Sequence, residues 1–391
     1  MLFRVFPPLL LLCCADKSVS QDDGSHTDEQ SNDTQDIPGD NDSGPDDDSD
    51  SDTESPVDTE SDTDTDTDTD TDTDTAEPPT SVSQVVRFVA LGDGGEGNST
   101  QYQVADAMLG ICDSKTDALA DGCMFALYLG DNFYDEGVDG VDDTQFQTSF
   151  EEPYAELSFP FYVVLGNHDY GGCIFGECGA GWEFEKSDAQ VAYTAESDKW
   201  TMPDEYYTFT EQHVQLFGLD TNAIMWDPAM ETAGDQPDWL DQALSKSTAT
   251  WKIAYGHHPY ISNGQHGNAG EYEGLDWLED LDWLGDLTEV PIGTAVKDFM
   301  DTHVCGSIDL YICGHDHNRQ WLEASCGTDF VVSGAAAKTT DLEGRGNPTF
   351  FEDDQSAGFF WVEIVDETLT GEFYDADGNL EYTQTITKSQ Q

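Results

Sequence analysis

The chain is poor in positive charge. Only 13 of its 391 residues are Lys or Arg, against 82 Asp or Glu, and the formal net charge is -69. A surface of that sign repels polyanions, which excludes nucleic acid and anionic membranes as partners. Long apolar runs are scarce too. The run Val5–Leu12 is too short to span a bilayer, and no other segment is apolar and long enough to do so. Residues 16–80 have almost no apolar side chains and include an Asp-Thr alternation over 62–75. Such a segment cannot bury enough surface to offset the entropy of ordering, so it reads as a disordered, self-repelling acidic stalk. It holds 25 of the acids and one base, Lys17. Residues 81–391 keep the other 57 acids against 11 bases, with nearly all the aromatics and glycines. That length suits one large α/β domain with a substantial core.

The amino end, "MLFRVFPPLLLLCCADKS", carries Arg4, then the apolar run, then small residues. This is the pattern of a secretory signal over residues 1–15, and it implies an exported protein. "LLCC" at 11–14 also resembles a bacterial lipoprotein processing site with Cys14 as the lipidated residue, although Cys13 stands where a small residue is usual. Free secretion and a lipid anchor both remain open. Of nine cysteines, seven lie beyond this leader. Disulfides persist outside the cytosol. Cys112–Cys123, Cys173–Cys178 and Cys305–Cys326 are plausible pairs, and Cys313, inside an apolar strand, is the expected free thiol. Spacing alone does not fix the connectivity.

Short β-branched or aromatic runs mark strands at 84–92, 124–130, 159–166, 213–219, 251–256, 309–314, 329–334 and 358–365. The last is expected to form a hairpin with "LTGEFYDADGN". Helical spacing appears at "STQYQVADAMLGICDS", "QPDWLDQALSKS" and "GTAVKDFMDTH". Strands alternating with helices, then late hairpins, predict an α/β sandwich of mixed sheets. Five strands run into a glycine followed by a polar residue: Gly92-Asp93, Gly130-Asp131, Gly166-Asn167, Gly256-His257 and Gly314-His315. Ligands of open α/β sheets bind at the carboxyl ends of strands, so these groups should gather at one edge.

A single Gly-Asp after a strand is usually only a turn, and a single histidine is more often a surface residue than a ligand. The joint pattern outweighs those readings. Six of the nine histidines fall in "GNHD", "GHHP", "NGQHG" and "GHDH", in that order along the chain. Carboxylates, imidazoles and an amide oxygen suit two hard or mid-row metal ions, which can hold a phosphoryl group and activate water. His26, His213 and His303 are left without a functional role.

"GDGG", "GDNFYDEGV", "GNHD", "GHHP" and "GHDHN" resemble the five metal-binding blocks of the metallophosphoesterases. More narrowly they resemble the purple acid phosphatases of the small, tartrate-resistant type, and the likeness extends over about 85–385. It implies a four-layer α/β/β/α sandwich, with two mixed sheets flanked by helices. It also implies a first metal held by Asp93, Tyr134, His317 and the bridging Asp131. The second would be held by Asn167, His257, His315 and the same Asp131. His168 and His266 would bind the phosphoryl oxygens and protonate the leaving group. Related enzymes carry Asp-x-His in the first block, but here that position is Gly95. Tyr134 would supply the missing donor, and a phenolate favours Fe(III); the second ion would be divalent Fe, Zn or Mn. The implied activity is hydrolysis of a small phosphomonoester by a metal-activated hydroxide, by a monomer.

Two segments depart from the family. Residues 170–188 are longer than usual, and residues 267–293 form an acidic, Trp-bearing insertion; both should rim the site. A phosphodiesterase or nucleotide pyrophosphatase on the same core is the alternative activity. A surface-anchored binding protein with a vestigial site is the alternative class.

Overall fold

The computed structural model describes residues 83–174, 177–274 and 289–388. The expectations for the leader at 1–15 and the stalk at 16–80 lie outside the described residues. Chain order begins with β1 (Val85–Leu91), α1 (Ser99–Lys115), β2 (Phe125–Leu129), β3 (Phe161–Val164) and α2 (Asn167–Tyr170). Next come β4 (Cys173–Ile174), β5 (Glu177–Cys178), α3 (Ser187–Tyr193), β6 (Trp200–Thr201), β7 (Tyr207–Glu211) and β8 (Val214–Gly218). Then α4 (Thr221–Met230), α5 (Gln236–Lys246), β9 (Trp251–Tyr255), α6 (Glu289–Ile292), α7 (Thr294–Phe299) and β10 (Leu310–Cys313) follow. The chain closes with β11 (Arg319–Ser325), β12 (Thr328–Ser333), β13 (Thr349–Asp353), β14 (Gly358–Val365), β15 (Thr368–Asp375) and β16 (Leu380–Thr387).

The strands make two seven-stranded sheets, in the orders β16-β15-β14-β1-β2-β3-β6 and β13-β11-β12-β10-β9-β8-β7, and β4-β5 is a separate hairpin. Both sheets are mixed, as expected. β1, β2 and β3 run parallel while β14 returns antiparallel to β1. The anticipated closing hairpin pairs Gly358 with Asp375 through Val365 with Thr368.

The period of two along a strand divides the side chains of the second sheet between two cores. Leu216, Ile253, Leu310, Ile312 and Val331 face the first sheet, among Phe88, Leu127 and Phe360. Their neighbours Phe217, Ala254, Tyr311, Phe330 and Val332 point the other way, with Ile224, Leu240, Val296 and Phe299 from helices α4, α5 and α7. On the outside of the first sheet lies α1, which buries Val104, Ala105, Met108 and Cys112. The result is the expected α/β/β/α sandwich. Complete burial of each Val, Leu, Ile or Phe contributes about 1.5–3 kcal/mol, so these two layers carry most of the stability.

Helix α1 starts where the Asn98 side chain accepts from the Gln101 N–H at 3.0 Å, a standard N-cap. Helix α5 has Pro237 and Asp238 in its first turn and Lys246 in its last, as the macrodipole favours. The run expected as one helix over 293–303 is broken. Helix α7 ends at Phe299 and a wider turn, Met300–Val304, leads into Cys305. Cys112–Cys123, Cys173–Cys178 and Cys305–Cys326 are all disulfides, and Cys313 is a buried free thiol. Three disulfides fit an exported protein. Among the described residues, no helix is long and apolar enough to cross a membrane.

Asp220 caps α4 by accepting from the Ala223 N–H at 2.9 Å and also accepts from the Tyr170 hydroxyl. Burial pushes its carboxyl up to about 7, although both hydrogen bonds oppose the shift. The folded state therefore holds a proton that the unfolded chain gives up near pH 4. The stabilisation is fully present below pH ~4 and is lost as pH rises through about 7. Asp220→Asn should flatten this slope, by a few kcal/mol between those limits, in denaturant titrations at stepped pH.

Candidate metal centre

Each strand that ends in glycine delivers one polar residue to the same edge. The first sheet supplies Asp93 after β1, Asp131 after β2 and Asn167 after β3; the second supplies His257 after β9 and His315 after β10. The sheets meet closely there, since a Cβ on Gly92 would lie 3.2 Å from the Gly314 Cα. Asp93, Asp131 and His315 then take left-handed backbone, with φ of 60°, 52° and 71°. Non-glycine residues in this region cost roughly 1 kcal/mol or more each, and such strain collects at functional sites.

Two triads share one member. Asp93, Asp131 and His317 form the first, and Asp131, His257 and His315 the second; within each, the donor atoms lie within 4.8 Å of one another. His257 Nε2 is 3.1 Å from Asn167 Oδ1, 3.1 Å from His315 Nδ1 and 3.4 Å from Asp131 Oδ1. The Asn167 amide nitrogen donates to the Gly179 carbonyl at 2.8 Å, which turns its oxygen toward this cluster. His317 Nε2 lies 3.4 Å from Asp93 Oδ1. The Tyr134 hydroxyl completes the first group, at 3.0 Å from Asp131 Oδ2, 3.2 Å from Asp93 Oδ1 and 3.3 Å from His317 Nε2. Carboxylate, phenol, amide and imidazole donors converging in two groups around one shared carboxylate fit a pair of hard or mid-row cations.

The protonation balance points the same way. Burial opposes charge on Asp131, but His257 and His168 overcome it and hold this carboxyl well below its usual range. Burial also opposes charge on His257, and Asp131 and Asp93 overcome it, raising the imidazole to about 9. Burial raises Asp93 to about 7 against the pull of His257. Burial, then the charges of Asp131 and Asp93, drives the Tyr134 phenol well above 10. Within the protein alone, positive charge for the carboxylates comes from protonated imidazole. Cations that replace those protons release them to solvent, and a coordinated phenol is deprotonated by the ion itself.

The packing around Gly95 leaves no room for a donor side chain there. A Cβ at this position would fall 2.4 Å from the Asn132 carbonyl carbon and 2.5 Å from the Phe133 nitrogen. The chain segment that delivers Tyr134 thus fills the space a side chain at 95 would need. Gly95 also accepts from the Tyr134 N–H at 3.3 Å and donates to the Asp131 carbonyl at 3.1 Å. Gly95→Ala should destabilise the fold by about 1–3 kcal/mol and displace Tyr134. Chemical denaturation reads the first effect and loss of metal binding at the first group the second. A histidine at 95 meets the same backbone and should not restore an imidazole donor.

The two candidate acid–base histidines flank the cluster. The His168 backbone N–H donates to Asp131 Oδ1 at 2.9 Å, its Nδ1 lies 2.8 Å from the Asp135 carbonyl, and its ring centroid is 4.5 Å from that of Tyr134. The His266 ring lies 4.0 Å from the His315 ring, and its Nδ1 pairs with Glu273. His258 is fully buried with Nδ1 2.9 Å from Thr221 Oγ1, so it does not face substrate. His213 is buried just before β8, and His303 pairs with Asp241 at 2.8 Å. Both departing segments reach the site. The β4-β5 hairpin supplies Gly179 against Asn167 and His168, and Glu273 comes from the insertion at 267–293, of which 275–288 lie outside the described residues.

Several contributors carry no sequence signal. Glu273 sits in an acidic stretch where no single acid stands out. Asp316, between two site histidines, accepts from the His266 N–H at 2.7 Å and so ties that loop to the "GHDH" turn. Lys338 follows a run of alanines after β12, and its Nζ lies 3.6 Å from the Tyr134 ring centroid.

Fold and donor set together define a metal-dependent phosphoesterase. The family model for calcineurin-like phosphoesterases matches residues 87–319, and the chain belongs to that family. Human tartrate-resistant acid phosphatase type 5 is 27% identical over 322 residues, covering 75% of this chain and 88% of its own length. Purple acid phosphatase 4 of Arabidopsis thaliana is 31% identical over 323 residues, covering 75% of this chain and 81% of its own length. Among solved structures, GAP50, the anchor in the inner membrane complex of Plasmodium, aligns with a TM-score of 0.57 and 22% identity over 78% of this chain and 90% of that one. A purple acid phosphatase from yellow lupin (Lupinus luteus) seeds aligns at 0.52 and 16% identity over 78% of this chain and 54% of that one. The protein is a metal-dependent phosphatase with a two-metal centre.

Proposed function

We propose that this protein is an exported acid phosphatase acting on small phosphomonoesters through a mixed-valent centre. Its first site takes Fe(III), through Asp93, Asp131, Tyr134 and His317. Its second takes a divalent ion, through Asp131, Asn167, His257 and His315. The observation that carries this reading is the Tyr134 hydroxyl within 3.0–3.3 Å of all three members of the first triad, in a chain whose residue 95 has no room for a side chain. When bound, the two ions supply Lewis-acid charge to the phosphoryl oxygens and acidify water.

The protein's own groups do the rest. Asp131 holds the two sites in register and, through Oδ1, fixes the His168 backbone. His168, with Nδ1 engaged by the Asp135 carbonyl, is held beside the cluster, where its protonated form would donate from Nε2 to a phosphoryl oxygen. His266 is oriented by Glu273, which accepts from Nδ1. Nε2 can then pass a proton to the departing alkoxide. Three anionic donors against a trivalent and a divalent ion leave the pocket positive inside an acidic shell, which focuses a phosphate there. Export follows the leader pattern at 1–15, and attachment through Cys14 is the further possibility that pattern holds.

Elemental analysis with a visible spectrum of purified protein tests the centre: one iron, one divalent ion and a phenolate-to-iron band are expected. A zinc-only or colourless iron-loaded protein overturns the ferric assignment, and substoichiometric metal favours a vestigial binding protein. A panel of mono- and diesters separates the monoesterase from the diesterase.

A further inference from the structure

The ammonium of Lys338 stands 3.6 Å from the ring centroid of Tyr134, over its face. Glu96 Oε1 holds the same nitrogen at 2.9 Å. Glu96 is next to Gly95, and Lys338 directly follows the buried Ala335–Ala337 turn after β12, so the contact joins the first sheet to the second. Two imidazoles also lie near Tyr134: His168, at 4.5 Å between centroids and tilted by 57°, and His317, edge-on at 6.3 Å. A cation over an aromatic face is attracted to the ring quadrupole, and more strongly when the site is partly desolvated. This chain has few cations to spend, and one is seated on the residue that distinguishes its first site.

We infer that Lys338 is a positioning residue that sets the electron-donating strength of Tyr134 toward the first metal. The inference rests on the proposed Tyr134–Fe(III) assignment. A positive charge at the ring face lowers the energy of the phenolate electrons more than that of the farther iron. Donation into the ferric ion weakens, the charge-transfer band lies at shorter wavelength, and the ferric state becomes easier to reduce. The field of Lys338 also reaches the Asp93 carboxylate, so it acts on two donors of the first group.

The test uses the iron-loaded full chain as wild type, Lys338→Met and Lys338→Arg, with spectra and reductive titration read beside metal content. Lys338→Met should move the visible band to longer wavelength by on the order of 10–20 nm and lower the reduction potential, at unchanged iron content. Lys338→Arg keeps a cation that stacks on aromatic faces, so its band should return close to the wild-type position. A wild-type band that Lys338→Met leaves in place overturns the inference while the ferric reading stands. A wild type with iron but no band overturns the ferric reading itself. A shift in Lys338→Met that Lys338→Arg fails to reverse marks a packing role and also overturns the inference. Should the Met variant fail to accumulate, Lys338→Gln removes the charge with a polar side chain of similar length and is read the same way.

Discussion

Tyr134→Phe should abolish the visible absorption of the iron-loaded enzyme and lower kcat/KM by about 10²–10³-fold. The substitution deletes one oxygen and leaves the ring, so the tilted contact with His168 and the contact with Lys338 survive. What disappears is the donor within 3.0 Å of Asp131 and 3.2 Å of Asp93. Asn167, His257 and His315 of the second group are held by one another and by the Gly179 and Leu129 carbonyls, and should retain their divalent ion. Metal analysis should therefore show selective loss of iron. An unchanged band in the variant would mean that another residue is the chromophoric donor.

Asp131→Asn should do more. This carboxylate belongs to both triads, takes the Tyr134 hydroxyl on one oxygen, and on the other takes the His168 N–H and faces His257. Loss of its charge should empty both sites and reduce turnover by at least about 10⁴-fold, the sum of a lost bridge and two lost Lewis acids. Stability should fall as well. His257 and His168 hold the Asp131 carboxyl well below its usual range, so its charge is a net gain to the metal-free fold. The metal-stripped variant should thus melt below the metal-stripped wild type, while added metal raises only the wild-type Tm. A variant that still gains Tm with metal would show that Asp131 is not shared.

The edge where function gathers was legible in the sequence because five of the seven donors follow their strands by a glycine. Gly92, Gly130, Gly166, Gly256 and Gly314 punctuate apolar runs, and punctuation of that kind survives without knowledge of the tertiary structure. What lay hidden depended on tertiary context. Helix α4 has no amphipathic pattern, since Thr221 through Trp226 are all buried, and Pro228 sits within it. Strand β11 opens on Arg319, a charged residue that is fully buried and paired with Asp353 and Glu381 at 2.6 and 2.5 Å. Strand β16 alternates weakly apolar and polar residues at a sheet edge, where little burial enforces a pattern. Glu273 and Lys338 reach the centre from segments whose local sequence says nothing about where they fold back.

The strand ends feeding the centre come from both halves of the sandwich: Asp93, Asp131, Tyr134 and Asn167 from one, His257, His315 and His317 from the other. Any ion held there is consequently a rivet through the inter-sheet seam, and its affinity is part of the cohesion of the two layers. A thousandfold excess of metal over its Kd would add about 4 kcal/mol to that cohesion. A chelator should loosen the seam before it unfolds either layer, and amide exchange should rise first at the glycine-ended tips of β1, β2, β9 and β10.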